Sequence, residues 1–361
     1  MKIKPKKTIK IIQRIEASIQ KRESFFSMDR NERVDEFPQN VINNCVKNIQ
    51  SKDMRLYPNN FVLYKKISGW LGLKKENILI TDGAEGALMR FFSVFANSRD
   101  KVVYLDPSYG MYKLYCDIFK LQKYPFKISL NRNFDYFTQL VKYVKKNRPK
   151  ILLIANPNQP IETMLDTNQI KTLCKITNKI NSFLVIDEAY YHFNNTSAQK
   201  FIKKFNNLIV IRTFSKAFGL AGLRIGYCLS NNKVIDCMKT IKPVYEINSI
   251  NIKILSFFLD NIQTMKKYVQ QVNESKKYIY KFFKNSYIEI FGRYSNSVLI
   301  KFKNAKEASF IAHKLYKKKF SVKIIKINNK SNFIRCTLGS IFITKKFCQV
   351  IKKNLKINKL N

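Results

Sequence analysis

Five short apolar runs punctuate the middle of the chain: VVYL at 102–105, ILLIA at 151–155, FLVI at 183–186, LIVI at 208–211 and IGYCL at 225–229. Each is continuous rather than alternating, which is the pattern of a strand covered on both faces. Between the first three lie longer stretches with helical spacing, such as FDYFTQLVKYVKK from Phe134. Strands separated by helices predict an α/β fold with a mostly parallel central sheet covered by helices. The gap from Ile211 to Ile225 is too short for a crossover helix, so the last strand is expected to run antiparallel. After Pro243 the period changes. Ile262, Met265, Val269, Val272, Ile279 and Phe283 follow helical spacing through a Lys-rich segment, and two β-like pieces, SVLIKF and FIRCTLG, come later. The pattern predicts a large α/β domain over 50–245 and a smaller α+β domain over 246–361, with segment 1–49 joining the smaller one.

Polar residues stand where such a sheet would use them. Open α/β sheets bind ligands outside the carboxyl ends of their strands. Directly after three of the runs come NPNQP (156–160), DEAY (187–190) and RTFSK (212–216). A single Asp after a strand is usually a turn or cap residue. Three polar clusters in series place amides, a carboxylate, hydroxyls and a lysine on one edge.

Composition narrows the chemistry. With 45% hydrophobic and 13% aromatic residues among 361, a buried core is assured and a disordered chain is excluded. No apolar run reaches the roughly 20 residues of a membrane span. The basic start of the chain lacks the apolar segment of a signal peptide, so a cytoplasmic protein without membrane association is expected. The formal net charge of +43 suggests a polyanion partner. However, Lys outnumbers Arg by a factor of about four and is spread along the whole chain, without a nucleic-acid motif, so no specific nucleic-acid binding is expected. The 7 cysteines lack zinc-site or redox-pair spacing and are read as reduced thiols, and with 2 histidines no metal site is expected. Chemistry is left to Lys, Asp, Tyr, Arg or a cofactor.

At the level of motifs the chain resembles the fold-type I pyridoxal-phosphate aminotransferases, and within them the histidinol-phosphate aminotransferase branch. The resemblance runs from about residue 28 to residue 340 and is strongest over TFSKAFGLAGLRIGY at 213–227. YPNN at 57, DGAEGAL at 82, DPSYGMY at 106, NPNQP at 156, DEAY at 187 and IRCTLGS at 334 support it in the family's order. It implies pyridoxal 5'-phosphate as cofactor and Lys216 as its attachment point and proton shuttle. Asp187 is implied as partner of the ring nitrogen, and Tyr190 as donor to the cofactor's phenolic oxygen. The phosphate is implied to rest on Thr213, Ser215, Arg224 and the backbone N–H groups of Ala84 and Glu85, at the start of a helical stretch. Tyr109 is implied to stack on the ring. Tyr57 is implied to reach the phosphate of a neighbouring subunit, which makes the protein a homodimer with shared active sites. Arg335 is implied to clamp a substrate carboxylate or its equivalent, and Asn31 to line the substrate side. The expected partners are a small-molecule amino donor and a keto acceptor.

The chain departs from the family's N-P-N-N-P-T-G at Gln159-Pro160-Ile161-Glu162. The amide that contacts the phenolic oxygen is therefore Gln159, or Asn158 in its place. Lys323 stands where a second arginine is expected before Arg335, and the aromatic that should follow Asn31-Glu32 is missing. The expected function is transfer of an amino group to a keto acceptor from a histidinol-phosphate-like or other small phosphorylated or carboxylated amine. The alternatives are a pyridoxal-phosphate decarboxylase of a phosphorylated amino acid, and a noncatalytic basic anion-binding protein on the same fold.

Overall fold

The computed structural model describes residues 22–131 and 134–357. The first strand, β1 (Phe26–Ser27), leads through short helices to β2 (Ile78–Thr81), β3 (Lys101–Asp106), β4 (Gln122–Lys127), β5 (Ile151–Ala155), β6 (Phe183–Asp187), β7 (Leu208–Thr213) and β8 (Gly226–Leu229). The C-terminal part adds β9 (Glu289–Phe291), β10 (Ser297–Lys301), β11 (Phe320–Ser321), β12 (Lys323–Ile327) and β13 (Lys330–Thr337). Strands β2 to β8 form one sheet in the order β2-β8-β7-β6-β5-β3-β4. Within it β8 pairs antiparallel with both β7 and β2, while the pairs from β7 to β4 are parallel. The short link after β7 has the expected consequence.

Both faces of this sheet are buried, and side chains alternate between two cores. Leu152 and Ile154 of β5, Leu184 and Ile186 of β6, and Leu208 and Val210 of β7 point into the larger one. Ile151, Leu153, Val185, Ile209 and Ile211 point into the other. This two-sided burial is why these strands read as unbroken apolar runs. Two strands go beyond the five runs. The edge strand β4 is QKYPFK, polar on its open side and tolerant of Pro125, which lacks an N–H, because an edge strand need not donate on both sides. The other, β2, is the four-residue ILIT.

The second sheet is antiparallel, in the order β12-β13-β10-β9. Helices Gln263–Phe282, Ala305–Lys317 and Ile341–Ile357 accompany it. Near the start of the described chain, β1 runs parallel to β11, with Phe26 opposite Phe320. Met28 then bonds across to this layer through its N–H to the Ser321 carbonyl (2.9 Å) and its carbonyl from the Thr337 N–H (2.8 Å). Residues 29–31 are thereby delivered to the carboxyl edge of the central sheet. Among the described residues, all seven cysteines are unpaired and no helix is long and apolar enough to cross a membrane.

Candidate active site

The ends of β5, β6 and β7 present Asn156, Asp187 and Thr213 at one edge, as their parallel register requires. The loop after β7 shows how the sequence TFSKAFGL works locally. Its aromatics anchor it: Phe214 and Phe218 are fully buried, pack edge-to-face at 4.9 Å, and both meet Trp70. Backbone bonds from Gly219 N–H to the Lys216 carbonyl (3.1 Å) and from Leu220 N–H to the Phe214 carbonyl (3.1 Å) close the turn. Gly219 sits at φ +73, a left-handed conformation that a side chain resists. With the rings fixed in the core, Thr213, Ser215 and Lys216 are left for the site.

The Lys216 amine donates to the carbonyl of Arg30 at 3.2 Å. Burial, assisted by the charge of Arg335, lowers its pKa to about 8. A neutral amine is thus readily available, as a nucleophile or proton carrier needs. Asp187 is buried. Its Oδ2 accepts from the Tyr112 hydroxyl at 2.8 Å and its Oδ1 from the Ala189 N–H at 3.0 Å. Burial raises the carboxyl pKa, and these two donors act in the opposite direction. The Tyr190 hydroxyl accepts from Asn31 Nδ2 at 2.6 Å, and burial raises its pKa.

A second subsite forms where helix Gly83–Phe95 begins against β7 and β8. A Cβ on Gly226 would lie 2.5 Å from the Gly83 carbonyl carbon and 2.7 Å from the Ala84 nitrogen. Only glycine permits this approach, which brings the first helical N–H groups beside Thr213 and Ser215. The Thr213 hydroxyl lies 3.0 Å from that of Ser215 and accepts the Ser215 N–H at 3.1 Å. Arg224, itself at φ 51, reaches Glu85 Oε2 at 3.3 Å, and Tyr109 donates to Glu85 Oε1 at 2.7 Å. Backbone N–H groups, two hydroxyls and the Arg224 guanidinium are thus gathered at this helix start, with Glu85 paired to the arginine.

Arg335 donates from Nη2 to the Asp29 carbonyl at 2.5 Å, and its buried Nε has no protein partner. Lys323 stands directly opposite Arg335 in the β12–β13 register, so both cations share one face. Burial and then the Arg335 charge lower the Lys323 pKa.

Two expected residues are not turned toward this centre. The Tyr57 side chain is 81% exposed and stacks on Tyr245 at 4.4 Å. Gln159 donates to Ser295 Oγ at 2.8 Å and Glu162 Oε1 at 3.2 Å. The Asn158 amide is spent on the carbonyls of Pro107 (3.0 Å) and Ile161 (2.8 Å). One residue that sequence reasoning passed over is Tyr112. Its signal was the spacing in SYGMY, which places Tyr109 just before, and Tyr112 in the first turn of, the helix Met111–Ile118. Glu188, beside Asp187, pairs instead with the buried Arg212 at 2.9 Å.

A buried lysine of lowered pKa, a buried carboxylate and a buried tyrosine hydroxyl are thus brought together at the carboxyl edge of the sheet, beside a helix start with free N–H groups. The model of the family "Aminotransferase class I and II" matches residues 28–351, and the chain belongs to that family. It is a pyridoxal 5'-phosphate-dependent aminotransferase, similar within the family to the histidinol-phosphate aminotransferases. That of Thermoanaerobacter sp. (strain X514) is 31% identical over 283 residues, covering 78% of this chain and 79% of the relative. The crystal structure of histidinol-phosphate aminotransferase from Sinorhizobium meliloti, in complex with pyridoxal-5'-phosphate, superposes with a TM-score of 0.84 at 19% identity over 96% of this chain and 97% of that one. The L-threonine-O-3-phosphate decarboxylase of Porphyromonas gingivalis shares the fold at a TM-score of 0.73 and 18% identity, over 91% of this chain and 99% of that one.

Proposed function

We propose that this aminotransferase acts on a small phosphorylated amine of the histidinol-phosphate type, with a keto acid as amino acceptor. The observation that carries this reading is the Arg335–Lys323 pair. Two adjacent cations on one sheet face, with Arg335 Nε unpartnered, suit a dianionic or doubly anionic substrate better than a single carboxylate. Lys323 supplies charge without a guanidinium fork, so it favours phosphate as a point cation.

The residues take the following roles. Ala84 and Glu85 N–H groups, Thr213, Ser215 and Arg224 hold the cofactor phosphate. Tyr109 packs against the ring, Asp187 faces its nitrogen, and Tyr190, oriented by Asn31, faces its ring oxygen. The bound cofactor supplies an electron sink for the substrate α-carbon. Lys216 binds the cofactor, and its amine then carries the proton at the substrate α-carbon. Arg335 orients the substrate, so that the bond to be broken stands over the ring. Tyr112 keeps the Asp187 carboxylate in place.

The reading extends to assembly and organisation. Met54, Leu56, Tyr57, Phe61 and Val244 expose 53–81% of their surface. A soluble monomer rarely leaves such large apolar side chains uncovered together. They support a homodimer in which Tyr57 reaches the neighbouring subunit's cofactor phosphate. The chain is read as a large domain, 50–245, and a small domain, 246–361, which segment 1–49 joins; residues 1–21 and 358–361 lie outside the described residues. A cytoplasmic location accords with these small-molecule substrates.

The test is a half-reaction. Holoenzyme is mixed with histidinol phosphate, glutamate or small phospho-amines, and the visible band of the cofactor is followed. Its loss, with release of the matching carbonyl compound, supports transamination, and the fastest donor identifies the substrate. Release of carbon dioxide from a phospho-amino acid with the band intact would contradict it.

A further inference from the structure

The segment Gln159–Glu162, where the chain departs from the family pattern, makes contacts of its own. Glu162 accepts three successive backbone N–H groups from a loop 131 to 133 residues further along the chain: Arg293, Tyr294 at 2.9 Å and Ser295 at 3.0 Å. Gly292, at φ 106, turns the chain after β9 so that these N–H groups converge, and a Cβ there would meet the Ser297 carbonyl at 2.9 Å. Consecutive N–H groups on one side form a ready anion seat, here filled by a carboxylate. Gln159 adds its bond to Ser295 Oγ, and Ser297 Oγ reaches back to Gln159 Oε1 at 3.4 Å. Asn194 donates to the Tyr294 carbonyl at 3.2 Å, and the buried Lys276 to that of Arg293 at 2.9 Å.

The seated loop continues directly into the site. Asn296, fully buried, donates from Nδ2 to the Asn31 carbonyl at 3.0 Å, and its own carbonyl accepts the Leu338 N–H at 2.9 Å. Asn31 in turn holds the Tyr190 hydroxyl.

We propose that Glu162 and Gln159 form a clamp that seats loop 293–297 of the small domain on the large domain and, through Asn296 and Asn31, fixes the Tyr190 hydroxyl. Glu162 is a positioning residue. Gln159 is committed to this contact, which leaves Tyr190 as the side-chain donor to the cofactor's ring oxygen. The role of Tyr190 rests on the function proposed above; the clamp itself does not.

The experiment is amide hydrogen exchange on cofactor-free and cofactor-loaded protein, comparing wild type with Glu162→Ala, Glu162→Gln and Gln159→Ala. In Glu162→Ala, exchange across 293–295 should accelerate about tenfold or more, since bonds to a charged acceptor are lost. The segment around Asn31 should follow it, and Glu162→Gln should recover part of the protection. In the loaded Glu162→Ala protein, the pH midpoint of the visible band should rise by about half a unit or more as the anionic ring oxygen loses a fixed donor. Unchanged exchange at 293–295 would overturn the clamp. Faster exchange there, with Asn31 protection and the band midpoint unmoved, would overturn the link to Tyr190. Should Glu162→Ala fail to fold, Glu162→Gln and Gln159→Ala carry the same two readings. Failure to bind cofactor would instead count against the proposed function, because the cofactor-free exchange still reports the clamp.

Discussion

Two loops leave the same sheet edge and do opposite things. The loop after β7 sinks Phe214 and Phe218 into the core and turns Ser215 and Lys216 toward the site. The loop after β5 buries Ile161 and turns Gln159 and Glu162 away, onto loop 293–295. In the first, local packing frees the polar groups for chemistry. In the second, polar groups are consumed in holding two parts of the molecule together. A polar cluster at the carboxyl end of a strand therefore marks a position from which function can be built, and contacts from elsewhere decide its use.

The sharpest way to break this contrast is at Lys216. Lys216→Ala should lower turnover by about four orders of magnitude or more, since both attachment and proton transfer are lost. Steady-state kinetics against an amino donor will show it, and a variant within tenfold of wild type would contradict the assignment.

Asp187→Asn comes next, with turnover falling about a hundredfold or more while the melting temperature moves little, because the amide keeps the shape, its oxygen can still accept the Ala189 N–H, and the Tyr112 hydroxyl can turn to accept from its NH2. Tyr112→Phe should have the same sign and a smaller size, about tenfold or less, corresponding to one bond to a charged group. Comparable losses in the two would mean that Tyr112 itself touches the chemistry.

Arg335→Lys keeps the charge and loses the fork, so kcat/KM for the anionic donor should fall about tenfold to a hundredfold. An unchanged value would move substrate recognition elsewhere.

The smallest effect is a pH dependence. The folded-state pKa of Lys216, about 8, lies below the ordinary lysine value, so the neutral amine grows in as pH rises through that point. Cofactor uptake by the cofactor-free protein, read as growth of the visible band, should therefore accelerate up to about pH 8 and level off above it. A continued rise toward pH 10 would imply an unperturbed amine. The sign is the same for stability: the cost of a charged amine in the buried site is full below about pH 8 and is relieved as pH rises from there to the ordinary lysine value, where the unfolded chain binds a proton that the native site has released.

The legible part of the molecule was the part fixed by local pattern. Five central strands announced themselves because burial on both faces keeps their middle positions apolar, and the reversed direction of β8 followed from chain length alone. The edge strand β4 was hidden because its exposed positions include Gln122, Lys123 and Lys127, which break any apolar run. In the site, Lys216, Asp187, Tyr190 and Arg224 stood in motifs short enough to read. What the motifs did not carry was contact at a distance. Nothing near Glu162 points to Ser295, 133 residues on, and only the fold brings Asn31 to Tyr190, 159 residues away. Tyr112 lay between these cases, since its spacing from Tyr109 was visible and its partner Asp187 was not.

Every role proposed for the site depends on Lys216, one lysine among so many, holding the cofactor. That attachment is tested most directly by loading the protein with pyridoxal 5'-phosphate, trapping the linkage with borohydride, and mapping the label by peptide mass spectrometry. A stoichiometric pyridoxyl label on Lys216, absent from Lys216→Ala, is expected. Label spread over surface lysines at the same total, or retained in Lys216→Ala, would contradict it.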